Sequence, residues 1–252
     1  MQRYFIHLSY DGANYHGWQI QPNGNTVEET IERALTTLLR QPIDITGAGR
    51  TDTGVNASMM VAHFDAAEHT VADCKQLAYR LNRMLPRDIA IHGISPVDSD
   101  MHARFSATSR TYHYYIHTTK NPFLGRYLWE VHYPLDFKLM NEAAQMLIGE
   151  RDFKCFCKAG ADVKTTICNV TDAHFERIDG NFAEDCGDRH RFVITANRFL
   201  RNMVRAVVGT LIDVGRGKLA LDDFRRILET GSRSDAGESV PGYALFLSDI
   251  KY

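Results

Sequence analysis

The chain has 252 residues, of which 44% are apolar, and a formal charge of −2, enough apolar material for one large or two ordinary domains and too much for a disordered chain. No apolar run approaches the roughly 18 residues of a membrane span, and the N-terminal run meets Asp11 too early for a signal peptide. The five cysteines, with only the close grouping Cys155-Phe156-Cys157, lack the paired spacing of a zinc knuckle and read as reduced thiols of a cytoplasmic protein without a metal.

Residues 3–10 alternate with the period of a strand and end at the turn signal Asp11-Gly12. Thr26 and Glu29 form a capping-box pattern, which predicts a helix with Val27, Ile31, Leu35 and Leu38 on one face, ending before Pro42. Residues 43–48 and 59–65 read as two strands joined by the loop GAGRTDTGVNA, residues 47–57. A helix follows over Val71 to Met84, then a strand over 88–97. The pattern restarts with a strand over 109–118. Asp136 as cap and Gly149 as stop predict a helix over 136–148. Residues 171–178 and 189–197 read as a hairpin with a long polar connection. Asn197 is the expected cap of a long helix from Arg198 to Val214, stopped by Gly215. On that helix Leu200, Val204, Val207, Val208 and Leu211 share a stripe, with Arg198, Arg201 and Arg205 along its edge. A shorter helix over 222–229 precedes a closing strand over 243–250. The fold class is therefore α+β, with a central, mostly antiparallel sheet flanked by helices. The expected lobes are 1–105 and 106–252.

Net charge argues weakly against a nucleic-acid partner, but its distribution does not. From Met101 to Trp129 there is no acidic residue, while Arg104, Arg110, Lys120, Arg126 and three histidines are present. From Arg189 to Arg226 there are nine Lys and Arg against three acidic residues. A basic cleft for phosphates fits this pattern, and so does ordinary clustering on helices and strands.

Asp52-Thr53-Gly54 is the tripeptide of an aspartic protease loop. Such enzymes need two of these loops and a shared proton, whereas this chain has one, with Arg50 close by to favour ionisation. A phosphate-binding loop would need the Lys-Ser/Thr that is missing here. An Asp that merely caps a turn is the plain structural alternative. An ionised Asp on a glycine-rich turn can also act as nucleophile or base. The aromatic strand around Tyr112 and the arginines around Arg205 suit a flat ring carried on phosphates, as in single-stranded or looped RNA.

Four ordered segments carry a resemblance: Tyr10-Asp11-Gly12 with Tyr15 and Gly17-Trp18-Gln19; GAGRTDTGVNA followed by His63-Phe64; HARFSATSRTYHYYI from His102; and RFLRNMVRAVVG from Arg198. Together with the closing strand around Leu245 they resemble the bacterial tRNA pseudouridine synthase A family over essentially the whole chain. The resemblance implies isomerisation of uridine to pseudouridine in the tRNA anticodon arm, at positions 38, 39 or 40. It further implies no cofactor, no metal, a two-lobed fold with a basic catalytic cleft between the lobes, and a homodimer that binds tRNA across both subunits. By position, Asp52 matches the catalytic Asp, Tyr112 the tyrosine that stacks on uracil, and Arg205 the arginine that pairs with Asp52. Arg50 matches the loop arginine, which fills the space of a flipped base or holds its phosphate, and Leu245 an apolar residue that packs on the base. Arg104, Arg110, Arg198 and Arg201 are further candidates for RNA contact. The chain departs from the family pattern at Asn56, usually His, at Met59-Met60, usually Gly-Gln, at Tyr243-Ala244, usually small residues, and in Val240-Pro241-Gly242. These flank the catalytic loop and base pocket, so a weak or inactive tRNA-binding paralogue on the same fold is the alternative.

Overall fold

A computed structural model describes residues 1–158, 160, 164–178 and 188–252. In chain order the described residues form β1 (Gln2–Tyr10), α1 (Val27–Leu39), β2 (Ile45–Gly47), β3 (Asn56–Ala66), α2 (Cys74–Met84), β4 (Ile89–Val97), β5 (Ser109–His117), β6 (Trp129–Glu130), α3 (Phe137–Gln145), β7 (Gly149–Asp152), β8 (Ile167–Arg177), β9 (Arg189–Ala196), α4 (Met203–Gly215), α5 (Leu221–Thr230) and β10 (Leu245–Lys251). They fall into two compact units, Met1–Thr108 with Phe246–Tyr252, and Ser109–Leu245. The sheet is mixed but mostly antiparallel, as the α+β reading expects.

In the first unit β1 lies between β3 and β4, antiparallel to both. The other edge of β3 receives β2 antiparallel, at Ile45↔Phe64, and the closing strand parallel, at Phe246↔Asn56. α1 begins where expected, with the Thr26 hydroxyl accepting from Glu29 N at 3.4 Å. The reciprocal half of the capping box gives way to an ion pair, because Glu29 reaches Arg33 at 3.0 Å instead. α1 buries Val27, Ile31, Ala34 and Leu35, and its chain turns out through Arg40 at φ 56. α2 starts three residues later than the sequence predicts. Asp73 caps it by accepting from Lys75 N and Gln76 N, and a carboxylate beside the orphan N–H groups outweighs the propensity of Val71. The core joins Ile6, Leu8, Met60 and Phe64 of the sheet to Ile31, Leu35 and Trp18.

In the second unit β9 lies between β5 and β8, antiparallel to both, and β7 extends β8. The hairpin expected of β8 and β9 is present, and most of its polar connection lies outside the described residues. Asp136 caps α3 by accepting from Leu139 N at 3.0 Å. α4 does not start at Arg198. Residues 198–202 form turns, and the helix begins at Met203 after Asn202 in the left-handed conformation, φ 64. Asparagine tolerates that conformation better than most residues, and its amide is fixed by a 2.5 Å bond to Ser239 Oγ. Asn197 is not the cap: its side chain accepts from Asn169 N at 2.9 Å and holds β8. The apolar residues Leu200 to Leu211 are all buried as expected, yet α4 is covered on nearly every side, with Met203, Ala206, Gly209 and Ile212 buried as well.

Candidate active site

The loop between β2 and β3 carries Asp52 on a tight turn. Val55 N donates to Asp52 O at 3.1 Å, and Gly54 takes φ 74 at the third position, where a turn of this kind needs a left-handed residue. Residues 12–18 brace the turn. Trp18 N donates to Thr51 O and Gly54 N to Tyr15 O, both at 3.3 Å. The hydroxyls of Tyr10 and Thr51 share a bond of 2.9 Å. Gly12 N donates to Asn56 Oδ1 at 2.8 Å. Gly17, at φ 95, approaches so closely that a Cβ there would sit 2.3 Å from Thr51 O. Asp52 itself is half-buried, and Thr51, Val55 and Asn56 around it are buried. The backbone at this carboxylate is thus fixed from both sides before any substrate arrives.

Beside the loop is a small cleft of about 160 Å³, lined by Trp18, Gln19, Glu28, Thr46, Gly47, Gly49, Arg50 and Arg104. The structure therefore brings Arg50 and Arg104 to one cleft. Glu28 anchors its floor, accepting from Trp18 Nε1 at 3.2 Å and from Ile20 N at 2.8 Å. Burial raises its carboxyl above the ordinary range, opposed by those two N–H groups and by the charge of Arg50. Arg104 lies in a turn held by His102, whose Nδ1 accepts from Arg104 N at 3.1 Å and Phe105 N at 3.2 Å.

The other candidates lie on the second unit. Tyr112 is 8% exposed and meets Phe199 edge-on, ring centroids 5.0 Å apart. Two residues along β5, on the same face, buried Tyr114 donates to Pro241 O at 3.0 Å. Arg205, on the first turn of α4, donates through Nε to Val240 O at 2.7 Å, and Val240 N returns a bond to Arg205 O. The off-pattern segment at 240–242 is thereby pinned to α4 and β5. Leu245, 5% exposed, follows at once. Arg110 Nη1 donates to Asn197 O at 2.9 Å, which ties β5 to the turn that holds Arg198. The charge of Arg198 acts on the buried thiols of Cys157 and Cys168, whose own burial pushes them up. Arg201 is exposed, and its carbonyl accepts from Lys158 N. Arg198 and Arg201 precede the helix, so they do not share an edge of α4 with Arg205. The turn at Asn202 separates them.

Sequence reasoning missed the braces. Asn56 stands out only as a departure from a pattern, yet it is 1% exposed and accepts from Gly12. The Tyr10–Thr51 pair and the bonds to Glu28 leave no local signal, because their partners are far apart in the chain. No group of three or more His, Cys, Asp or Glu among the described residues could hold a metal ion. Among them, too, no helix is long and apolar enough to cross a membrane.

The family described as tRNA pseudouridine synthase matches residues 7–106 and 143–252. The match takes in Asp52, Arg50, Arg104, Arg205 and Leu245, while Arg110 and Tyr112 fall between its two parts. A tRNA pseudouridine synthase A of Bacteroides thetaiotaomicron is 52% identical over 252 residues, covering 100% of this chain and 91% of that protein. That of Porphyromonas gingivalis is 49% identical, covering 100% of this chain and 98% of that protein. The Acetivibrio thermocellus protein of the same name is 40% identical over 97% of each chain.

Proposed function

This chain belongs to the tRNA pseudouridine synthase family, and from that premise we propose that it acts on the anticodon arm of tRNA, at positions 38, 39 or 40, with Asp52 as its essential carboxylate. It is an enzyme that isomerises uridine in tRNA to pseudouridine. The C1′–N1 bond breaks, the freed uracil turns, a C1′–C5 bond forms, and the proton leaves C5 while N1 gains one. Atoms and electrons balance within the nucleotide, so the step needs no redox partner. The observation that carries the site assignment is the double bracing of the Asp52 turn by residues 12–18 and Asn56. A carboxylate that attacks the ribose or base gains most from a backbone set before the substrate arrives.

In this reading the target uridine leaves the stack to reach Asp52, and Arg50 takes its place or holds its phosphate. Tyr112 stacks on the uracil and assists loss of the C5 proton. Arg205 serves as charge partner to the reacting carboxylate, and Leu245 packs on the base. Arg104, Arg110, Arg198 and Arg201 take phosphates, and the enzyme works as a cytoplasmic homodimer. The inactive-paralogue reading is not favoured: identity to the named synthases extends over the full chain, and Asn56 and Met60 are built into the fold as a brace and a core residue.

The test is conversion on unmodified tRNA transcripts, Asp52 protein beside Asp52→Ala, with every pseudouridine mapped by chemical adduct and primer extension. Conversion at 38, 39 or 40 that disappears in the folded variant supports the reading. Conversion at other sites overturns the target, and conversion that survives in Asp52→Ala overturns the assignment of the carboxylate.

A further inference from the structure

Three aromatic rings stand in a row on the first unit. His63, 7% exposed, lies with its centroid 4.5 Å from that of His102, and His102 lies 4.4 Å from Phe105. The row ends in solvent, where Phe105 is 77% exposed. A single exposed phenylalanine is ordinary, but this one is mounted on a rigid support. Ala103 N donates to His63 Nδ1 and Phe105 N to His102 Nδ1, each at 3.2 Å. His102 N donates to Ser106 Oγ at 2.9 Å, and the Tyr252 hydroxyl donates to Ala103 O at 2.8 Å. The Arg104 guanidinium is 5.8 Å from the Phe105 ring centroid, and Arg104 also lines the cleft with Arg50 beside the Asp52 loop. No acidic residue occurs from Met101 to Trp129. A supported flat ring, open to water and with an arginine against it, is what a nucleobase on a phosphate chain needs.

We propose that Phe105 is a stacking platform for a tRNA base other than the reacting uridine, with Arg104 at the phosphate of that nucleotide. The proposal rests on the tRNA reading above and adds a second point of purchase on the substrate. A ring already backed by His102 loses little freedom on binding, so most of the stacking energy appears as affinity. Stacking on every base has a π-face to use, so the platform grips without reading sequence.

The experiment is tRNA binding and conversion by the full chain and by Phe105→Ala, Phe105→Leu and Phe105→Tyr, with the oligomeric state of each followed by sedimentation. Removal of one stacked base corresponds to a loss of roughly 5- to 150-fold in affinity. Phe105→Ala is expected to show that loss, chiefly in KM. Phe105→Tyr should restore binding and Phe105→Leu should not. Transcripts with single abasic nucleotides in the anticodon arm then locate the partner: one such gap should weaken binding to the Phe105 protein and leave Phe105→Ala unchanged. Wild-type affinity in Phe105→Ala, or rescue by leucine as good as by tyrosine, overturns the platform while conversion by the parent chain keeps the tRNA reading. Loss of a dimer in Phe105→Ala assigns the ring to a contact between copies and also overturns it. A parent chain that neither binds nor converts tRNA removes both readings together.

Discussion

Acid should loosen the segment that carries Arg104 and Phe105, and His63 is the group through which it acts. His63 is 7% exposed, and its Nδ1 accepts from Ala103 N at 3.2 Å, so that nitrogen must be unprotonated. Burial first, then the nearby His102 and Arg3, bring its pKa from 6.5 down to about 4. The unfolded imidazole takes up its proton near 6.5 and the folded one only near 4. Stability is therefore present in full above 6.5, falls as the pH drops through that window, and is level below it. At about 1.36 kcal/mol per pKa unit the loss is on the order of 3 kcal/mol. Urea unfolding from pH 8 to pH 4 measures it, read by Trp18 in a Trp129→Phe background, which removes the other of the two tryptophans. His63→Asn supplies a comparison without a titrating imidazole. The His63 protein should lose about 3 kcal/mol more than the variant across the window, and parallel curves would refute the linkage of His63 to this turn.

Three further substitutions, one of them a control, test the bracing of the Asp52 loop. Gly17→Ala should cost roughly 1–3 kcal/mol and slow conversion, since φ is 95 and the new Cβ would meet Thr51 O at 2.3 Å. Gly49→Ala, where a Cβ meets nothing within 4 Å, should leave the melting temperature within error, and equal melting of the two would sink the close-approach argument. Asn56→Leu strands the buried Gly12 N–H, which implies a loss of about 1–3 kcal/mol. Hydrogen exchange at Gly12 should then quicken well beyond the global change, and an unaltered rate there would show that the bond does not restrain the loop.

Much of the fold was legible because it is written in local signals. Thr26 and Asp136 announce α1 and α3, since a side-chain oxygen before an amphipathic run has few other uses. The alternation in residues 3–10 and 109–118 gives β1 and β5. The error at α4 has a physical origin. Apolar residues continue at helical spacing through Leu200, but periodicity reports burial rather than backbone, and it cannot see Asn202 turn left-handed. Of the candidate site, the Asp52 loop stands out in the sequence by its glycines and its order among other motifs. The braces on it were not, because Tyr10, Gly12 and Tyr15 meet residues 51–56 only after β1 and β3 have paired. Phe105 passed unremarked for the opposite reason: its exposure is a property of the folded turn, and sequence marks an aromatic residue as core by default.

The parallel contact of Phe246 and Leu247 with Asn56 and Ala57 places a constraint on synthesis. Residues 1–108, which hold β1 to β4 with α1 and α2, leave the ribosome first, and meanwhile the edge of β3 next to the Asp52 loop has no final strand to pair with. The residues that close it are separated from it by the entire second unit, and Ser58 Oγ meets Leu247 O only across 189 positions. Asn56, which holds Gly12, is the first residue of that open edge. The unit that begins first is completed last, and until the final strand docks, Ala57 has Tyr10 on one side and no Leu247 on the other. A nascent chain of this protein would thus carry the Asp52 loop for most of its translation beside a strand edge that is not yet paired.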